Sequence, residues 1–439
     1  NATVELKYIM WSGYEQKMNM IISTQEEFDI CWTSAQRNDY YNNVARNAFV
    51  KLDELFPKYA PETYKNVPGK YWDAVRVGGG VYGILNYQIM ATAYGYGIQR
   101  EIADKYGIDY KQIKSYKELE PMLAYIKANY TDKYPLYMDK YANPFTGSLP
   151  MHGFEALGAN AIPGVVRTAD KDFKVLNQYE SEEFKSLIAT MRDWNKKGYI
   201  NQDATTSEEY LGMQAAGKVA IQFPTYLVWD NDDFADMGDK GLNNSSIPHY
   251  LKKFTPPVVT TDRVVATMNA ISSTSKNPER ALMLIELINT VPEAYNLLCY
   301  GIEGEHYEKQ DYTGKNNQHV QVKKIENSSY NPNTHWIFGH TYNLWQGEND
   351  TVHQTWIDAN EQATARSTPG FAFNTKNVIN EVALVNSVIT EYVPGLVNGS
   401  VDTGARYDEF IAKLKAGGAD KIIAEKQTQL NQWLKTAKK

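Results

Sequence analysis

The chain holds 439 residues, too many for one small domain and enough for two lobes. Its 45 Lys and Arg against 52 Asp and Glu leave a net charge of −7, which argues against nucleic-acid or anionic-membrane binding, since both need a clustered basic face. Cys31 and Cys299 are too few for a disulfide framework or a cysteine-only zinc site, whereas 32 Tyr, 9 Trp and 14 Phe exceed what a generic core needs. No run approaches the roughly 18 apolar residues of a membrane span.

The first residues alternate polar and apolar side chains, which predicts a strand over Val4–Met10. Trp11–Thr24 reads as a helix with Met18, Ile21 and Ile22 on its apolar face, and Phe28–Cys31 as a short buried strand. Asp39–Lys51 reads as helical, and this rhythm predicts a parallel sheet with helices on both faces. Val81–Tyr94 is a long apolar and aromatic run that suits a strand crossing from one sheet to another. Ser115-Tyr-Lys-Glu118 and Thr206-Ser-Glu-Glu209 are capping boxes, ahead of helices running to Asn129 and Ala216. Gly217 stops the second helix, and Lys218–Phe223 is a strand leading into Pro224–Trp229. Arg263–Ile271 is a second run of crossing length. Asn277 and Pro278 then start a helix whose wide apolar arc predicts burial. Gly301–Thr334 is polar with little periodicity. The remainder is mainly helical and ends in one amphipathic stretch, Tyr407–Lys438. Hinge strands are expected near Met90–Tyr94 and Val264–Met268, with a third crossing between about 325 and 336.

Several segments resemble one family. "NAISSTSKNPERALMLIELINT" (269–290) is similar to the second crossing strand and following helix of bacterial extracellular solute-binding proteins of ABC importers. "GIEGEHYE" (301–308), "THWIFGH" (334–340) and "PGFAFNTKNVINEVALVNSVITEYVPGLVNGSVD" (369–402) resemble its large lipoprotein-type, sugar-associated subfamily, and "EEFDICWTSAQRNDYYNNVARNAFVKLDELF" (26–56) resembles that subfamily's second βα unit. His340 stands where the subfamily more often has Asn. The resemblance covers essentially the whole chain. It implies an α/β fold of the two-lobe periplasmic-binding-protein type (type II), each lobe a mainly parallel sheet flanked by helices. The N-terminal lobe is expected over 1–92 plus 268–330 and the C-terminal lobe over 93–267 plus 331–439. The resemblance also implies a strand–helix unit, a signal peptide and a lipid-bearing cysteine ahead of Val4. An intact slot for that strand would hold Val4–Met10 and Phe28–Cys31 about 10 Å apart, twice the usual strand spacing.

A carbohydrate offers C–H faces to aromatic rings and hydroxyls to planar amides, carboxylates and Arg. Trp32 and Ser34 directly follow a strand, so Trp32 either faces the inter-lobe cleft or packs in the core. The same two readings stand for Tyr226 and Trp229 after the strand Lys218–Phe223. Asn86 and Gln88 lie on a crossing segment, as ligand groups or as a hinge hydrogen-bond network. Trp336, His340 and Glu303 carry the subfamily signature; Glu303 either accepts sugar hydroxyls or orders its loop. His152 is a further ligand candidate or a structural histidine.

Enzyme motifs are missing from the sequence: there is no Gly-x-Ser-x-Gly elbow, no His-Glu-x-x-His and no phosphate loop. Asp230–Asp233 looks like the start of a calcium loop, but Ala235 and Gly241 stand where such a loop has Gly and Glu, so no metal or cofactor is expected. The expectation is therefore a monomeric, extracytoplasmic binding component of an ABC importer. It captures a carbohydrate, expected to be an oligosaccharide, between two lobes and delivers it to permease subunits. It is expected to be a lipoprotein on the outer face of a Gram-positive cytoplasmic membrane, touching the membrane only through its anchor. The alternatives are a glycoside hydrolase with paired carboxylates in an aromatic cleft, and a peptide-binding protein of the same fold.

Overall fold

In the computed structural model the chain is described over residues 3–35, 37–107, 112–227, 234–241, 247–311, 320–330, 332, 334–339, 343–345, 352–365, 368 and 370–437. It divides into two compact units. The first comprises Asn1–Met90, Val259–Glu361 and Thr368–Ala372, and the second Ala91–Val258, Gln362–Ser367 and Phe373–Lys439.

The first unit is built on a sheet in which Met268–Ile271 lies between Ile30–Thr33 and Ile84–Leu85, antiparallel to both. Trp32 pairs with Asn269 across that ladder. Tyr40, Leu52, Phe56, Trp72, Val75, Ile84 and Leu282 are buried in the core around it. The helix Pro278–Thr290 buries Ala281, Leu282, Ile285 and Ile288, a narrower face than expected, since Leu287 is exposed. A smaller core of Ile288, Tyr295, Cys299, Tyr300, Tyr307 and Val322 supports a hairpin of Tyr307–Asp311 and Val320–Lys324.

The second unit centres on the strand Ala91–Gln99, every residue of which is buried. Val219–Leu227 and Pro248–Lys253 flank it, both antiparallel. The helices Glu182–Lys196, Ile379–Val397, Ala405–Ala416 and Ala419–Ala437 enclose a core that includes Trp194, Tyr179, Phe184 and Phe410.

Several expectations are corrected. Residues 3–10 form no strand; Val4, Leu6, Tyr8 and Met10, the apolar half of the alternation, are exposed, Met10 at 80%. Alternation makes a strand only where a neighbouring strand takes its N–H and C=O groups, so the expected gap beside Phe28–Cys31 does not arise. The described ladders run mostly antiparallel, not parallel. Tyr134–Leu136 beside Val219–Leu227 and Val320–Lys324 beside Asn343–Trp345 do run parallel. A buried apolar run reads the same in either direction, so its sequence does not encode the sense of pairing.

The long run Val81–Tyr94 is broken into Gly80–Val81, Ile84–Leu85 and the start of Ala91–Gln99. Residues 331–361, expected in the C-terminal lobe, belong to the first unit. They are tied there by Tyr295, whose hydroxyl donates to the His335 carbonyl (2.9 Å), and by Asn360, whose side chain accepts the Met90 N–H (2.8 Å). The chain first passes between units at Met90–Ala91, close to the expected hinge, but returns at 258–259 and not near 268.

Candidate functional site

In the first unit the strand Ile30–Thr33 delivers Trp32 to one end of the sheet, beside the short helical turn Trp11–Gly13 and the turn that carries Trp336. The three indoles form a closed triangle. Ring centroids are 5.0 Å apart for Trp11 and Trp32, 5.7 Å for Trp32 and Trp336, and 5.7 Å for Trp11 and Trp336. The last two pairs are edge-to-face, the arrangement that brings a ring's positive edge onto a negative face. Tyr14 stacks beside Trp11 at 6.1 Å and meets Trp32 at 5.8 Å. Trp11 remains 46% exposed, so the cluster offers aromatic surface to solvent.

A polar network fixes these rings. Trp32 Nε1 donates to Thr267 Oγ1 at 2.7 Å, and Asn86 Nδ2 donates to the same oxygen at 3.1 Å. Asn86 also donates to the Ile337 carbonyl, which accepts from Asn269 Nδ2 at 3.0 Å as well. The residue after Trp336 is thus bonded to the sheet that carries Trp32. The Trp32 carbonyl accepts from the Tyr14 hydroxyl (2.7 Å) and from Asn38 Nδ2 (2.8 Å). Burial holds the Tyr14 hydroxyl well above the usual phenol range, so it stays a donor. Arg37 lays its guanidinium 4.7 Å from the Trp11 ring centre and donates from Nη1 to the Trp11 carbonyl at 3.0 Å.

The structure sorts the expected residues into distinct places. Trp32, Trp336 and Asn86 come together in this one cluster. Ser34 is buried under it, where its hydroxyl accepts the Arg37 N–H (2.9 Å) and shapes the turn that presents Arg37. Gln88 uses its carbonyl to accept from Asn360 Nδ2 at 2.9 Å. Glu303 is exposed and pairs with Lys309 at 2.8 Å, which orders its own hairpin.

His152 lies in the second unit, buried against Phe145 with Nε2 bonded to the Pro144 carbonyl (3.1 Å). Burial pushes its pKa down to about 4, so it packs there as a neutral histidine. Tyr226 sits in the strand Val219–Leu227 opposite Tyr94. Trp229, His340 and the acidic segment Asp230–Asp233 lie outside the described residues. Among the described residues no group of three His, Cys, Asp or Glu could hold a metal ion.

Trp11, Tyr14 and Arg37 are the members that sequence reasoning missed. The available signal was the spacing of Trp11 and Tyr14, three residues apart at a helix start, which brings two rings to one face.

Residues 367–435 match the model of a domain of unknown function, DUF3502. The chain is 30% identical over 445 residues to a carbohydrate ABC transporter substrate-binding protein of Streptococcus pneumoniae, with 100% of this chain and 86% of that relative aligned. This chain belongs to the carbohydrate ABC transporter substrate-binding proteins. Its fold is similar to that of the crystal structure of an N-glycan transport solute-binding protein from S. pneumoniae, with a TM-score of 0.81 and 26% identity over 98% of this chain and 92% of that one. The same S. pneumoniae protein in complex with Man1GlcNAc gives a TM-score of 0.76 at 26% identity over the same shares. The α/β, two-lobe class expected for such substrate-binding proteins therefore holds, and membership makes the protein extracytoplasmic. No described helix is long and apolar enough to cross a membrane.

Proposed function

We propose that this substrate-binding protein captures an oligosaccharide of the N-glycan type, containing mannose and N-acetylglucosamine, on the Trp11–Trp32–Trp336 cluster. The observation that carries the reading is the half-exposed indole triangle set on a floor of Asn86, Thr267 and Asn269. Rings that cover sugar faces, beside fixed planar groups, are what a carbohydrate site requires. Complexes of the S. pneumoniae N-glycan transport protein with Man1GlcNAc and Man5GlcNAc support the ligand class.

The protein acts as a binder that hands its sugar to ABC permease subunits, and not as a hydrolase. It works as a monomer held to a Gram-positive membrane by an N-terminal lipid anchor. Incubation with labelled Man5GlcNAc, followed by calorimetric titration, tests this. The expected result is saturable binding with the glycan recovered intact. Shortened glycan would assign catalysis, and absence of heat with any mannose- or N-acetylglucosamine-containing oligosaccharide would remove the ligand class.

A further inference from the structure

Arg37 is a charged side chain that touches the tryptophan cluster, and it has a guanidinium edge to spare. Of its five N–H groups, Nη1 gives one hydrogen bond to the Trp11 carbonyl. Its flat face rests on the Trp11 ring. Stacking uses the face of a guanidinium and leaves its in-plane donors directed outward.

The neighbouring carboxylates are engaged elsewhere. Glu15 accepts the Asn38 N–H at 3.3 Å, and Asp39 caps the helix Tyr40–Ala45 through the Asn42 N–H (3.1 Å) and the Asn42 side chain (2.6 Å). No described carboxylate forms an ion pair with Arg37. A half-buried cation with its fork unfilled, stacked on an exposed indole, is matched by a planar anion that lies against the same ring.

We infer that the oligosaccharide bound at this cluster carries a carboxylate sugar, a sialic or uronic acid, and that Arg37 pairs with that carboxylate. The inference rests on the carbohydrate reading of the tryptophan cluster and narrows it to acidic glycans. The buried, uncharged Asn86, Thr267 and Asn269 would then hold the indoles in place while Arg37 selects the charged end.

The test is calorimetric titration with a matched pair, an N-glycan ending in sialic acid and the same glycan without it. A third ligand is the sialylated glycan with its carboxylate methyl-esterified. The expected result is at least about tenfold tighter binding of the acidic member, the scale of one charge-assisted contact. The ester should fall back to the neutral member's affinity. In Arg37→Gln the preference for the acidic over the neutral glycan should vanish. The ester comparison uses the wild-type protein, so the inference stays testable if Arg37→Gln fails to fold. Equal affinities for acidic and neutral members, or a preference that survives esterification, would overturn this inference and leave the carbohydrate reading standing. Absence of binding by all three would contradict both.

Discussion

Thr267 shows how much of the cluster depends on single atoms: one hydroxyl oxygen accepts from both Trp32 Nε1 and Asn86 Nδ2. Thr267→Val keeps the shape and removes the acceptor, leaving two donors without it. A loss of about 1–3 kcal/mol for each orphaned donor is expected, read as a lower unfolding midpoint together with weaker glycan binding. Unchanged stability and affinity would show that the hydroxyl positions nothing. Trp32→Ala should cost about 1–3 kcal/mol of binding, the scale of a lost buried aromatic contact, and calorimetry reads it directly.

In the second unit, Lys426 is 1% exposed, with Nζ donating to the carbonyls of Ile162 (3.2 Å) and Gly164 (3.1 Å), and burial pushes its pKa down to about 7. The unfolded chain, with an ordinary lysine near 10.4, then binds more protons than the native state between about pH 7 and 10. Stability contributed by this group therefore rises with pH through that window. His152 adds a second rise between about pH 4 and 6.5 by the same sign. Denaturant titrations across pH should show the upper rise in wild type and its loss in Lys426→Met; identical slopes would contradict the assignment. Trp32 and Trp336 were legible in the sequence because each sits at the end of a recognisable segment. Arg37 was not, since its value comes from the Trp11 ring beneath it, and Trp11 is a neighbour only after folding.

Elements with their own local signals were legible, and elements that need a distant partner were less so. Asn277–Pro278 marks the start of a helix over Pro278–Thr290 as expected, whereas Ser115 and Glu118 bond to each other at 2.9 Å and form no capping box. Thr206–Glu209 has the same letters but forms turns, because Ser207 is drawn to the Tyr137 hydroxyl (2.6 Å) and the helix begins only at Tyr210. The single amphipathic stretch Tyr407–Lys438 is two helices, Ala405–Ala416 and Ala419–Ala437, parted at Gly417 and at Gly418, whose φ is +100°.

Ser181 caps the helix Glu182–Lys196 by accepting the Phe184 N–H at 3.1 Å. Ser181→Ala should destabilise the protein by about 1 kcal/mol. Gly399 follows the helix Ile379–Val397 with φ +74°, and an added Cβ would stand 2.1 Å from the Met191 carbonyl oxygen. Gly399→Ala should therefore cost more than about 2 kcal/mol, since both backbone strain and a clash with main chain oppose it. Chemical unfolding midpoints check both, and a neutral Gly399→Ala would contradict the packing of these two helices.

For the molecule as a whole, two compact units carry distinct work: the first holds the indole cluster, and the second contains the greater part of the helical C-terminal region. A ligand that binds only the folded protein stabilises it by mass action, by about 2.7 kcal/mol at a hundredfold excess over Kd, and so raises its unfolding midpoint. The family alignment extends over the whole chain, whereas the cluster is drawn from segments far apart in sequence: Trp11, Trp32, Asn86, Thr267 and Trp336. Their assembly depends on the fold, which explains why the family could be read from linear motifs and the full site could not. The central claim is that this cluster binds the sugar. The measurement that tests it most directly is calorimetric titration of Man5GlcNAc, and of the N-glycan ending in sialic acid, into wild type, Trp32→Ala and Trp336→Ala. Saturable wild-type binding, weakened about tenfold or more in each variant, is the predicted result; wild-type affinity retained in both variants would contradict it.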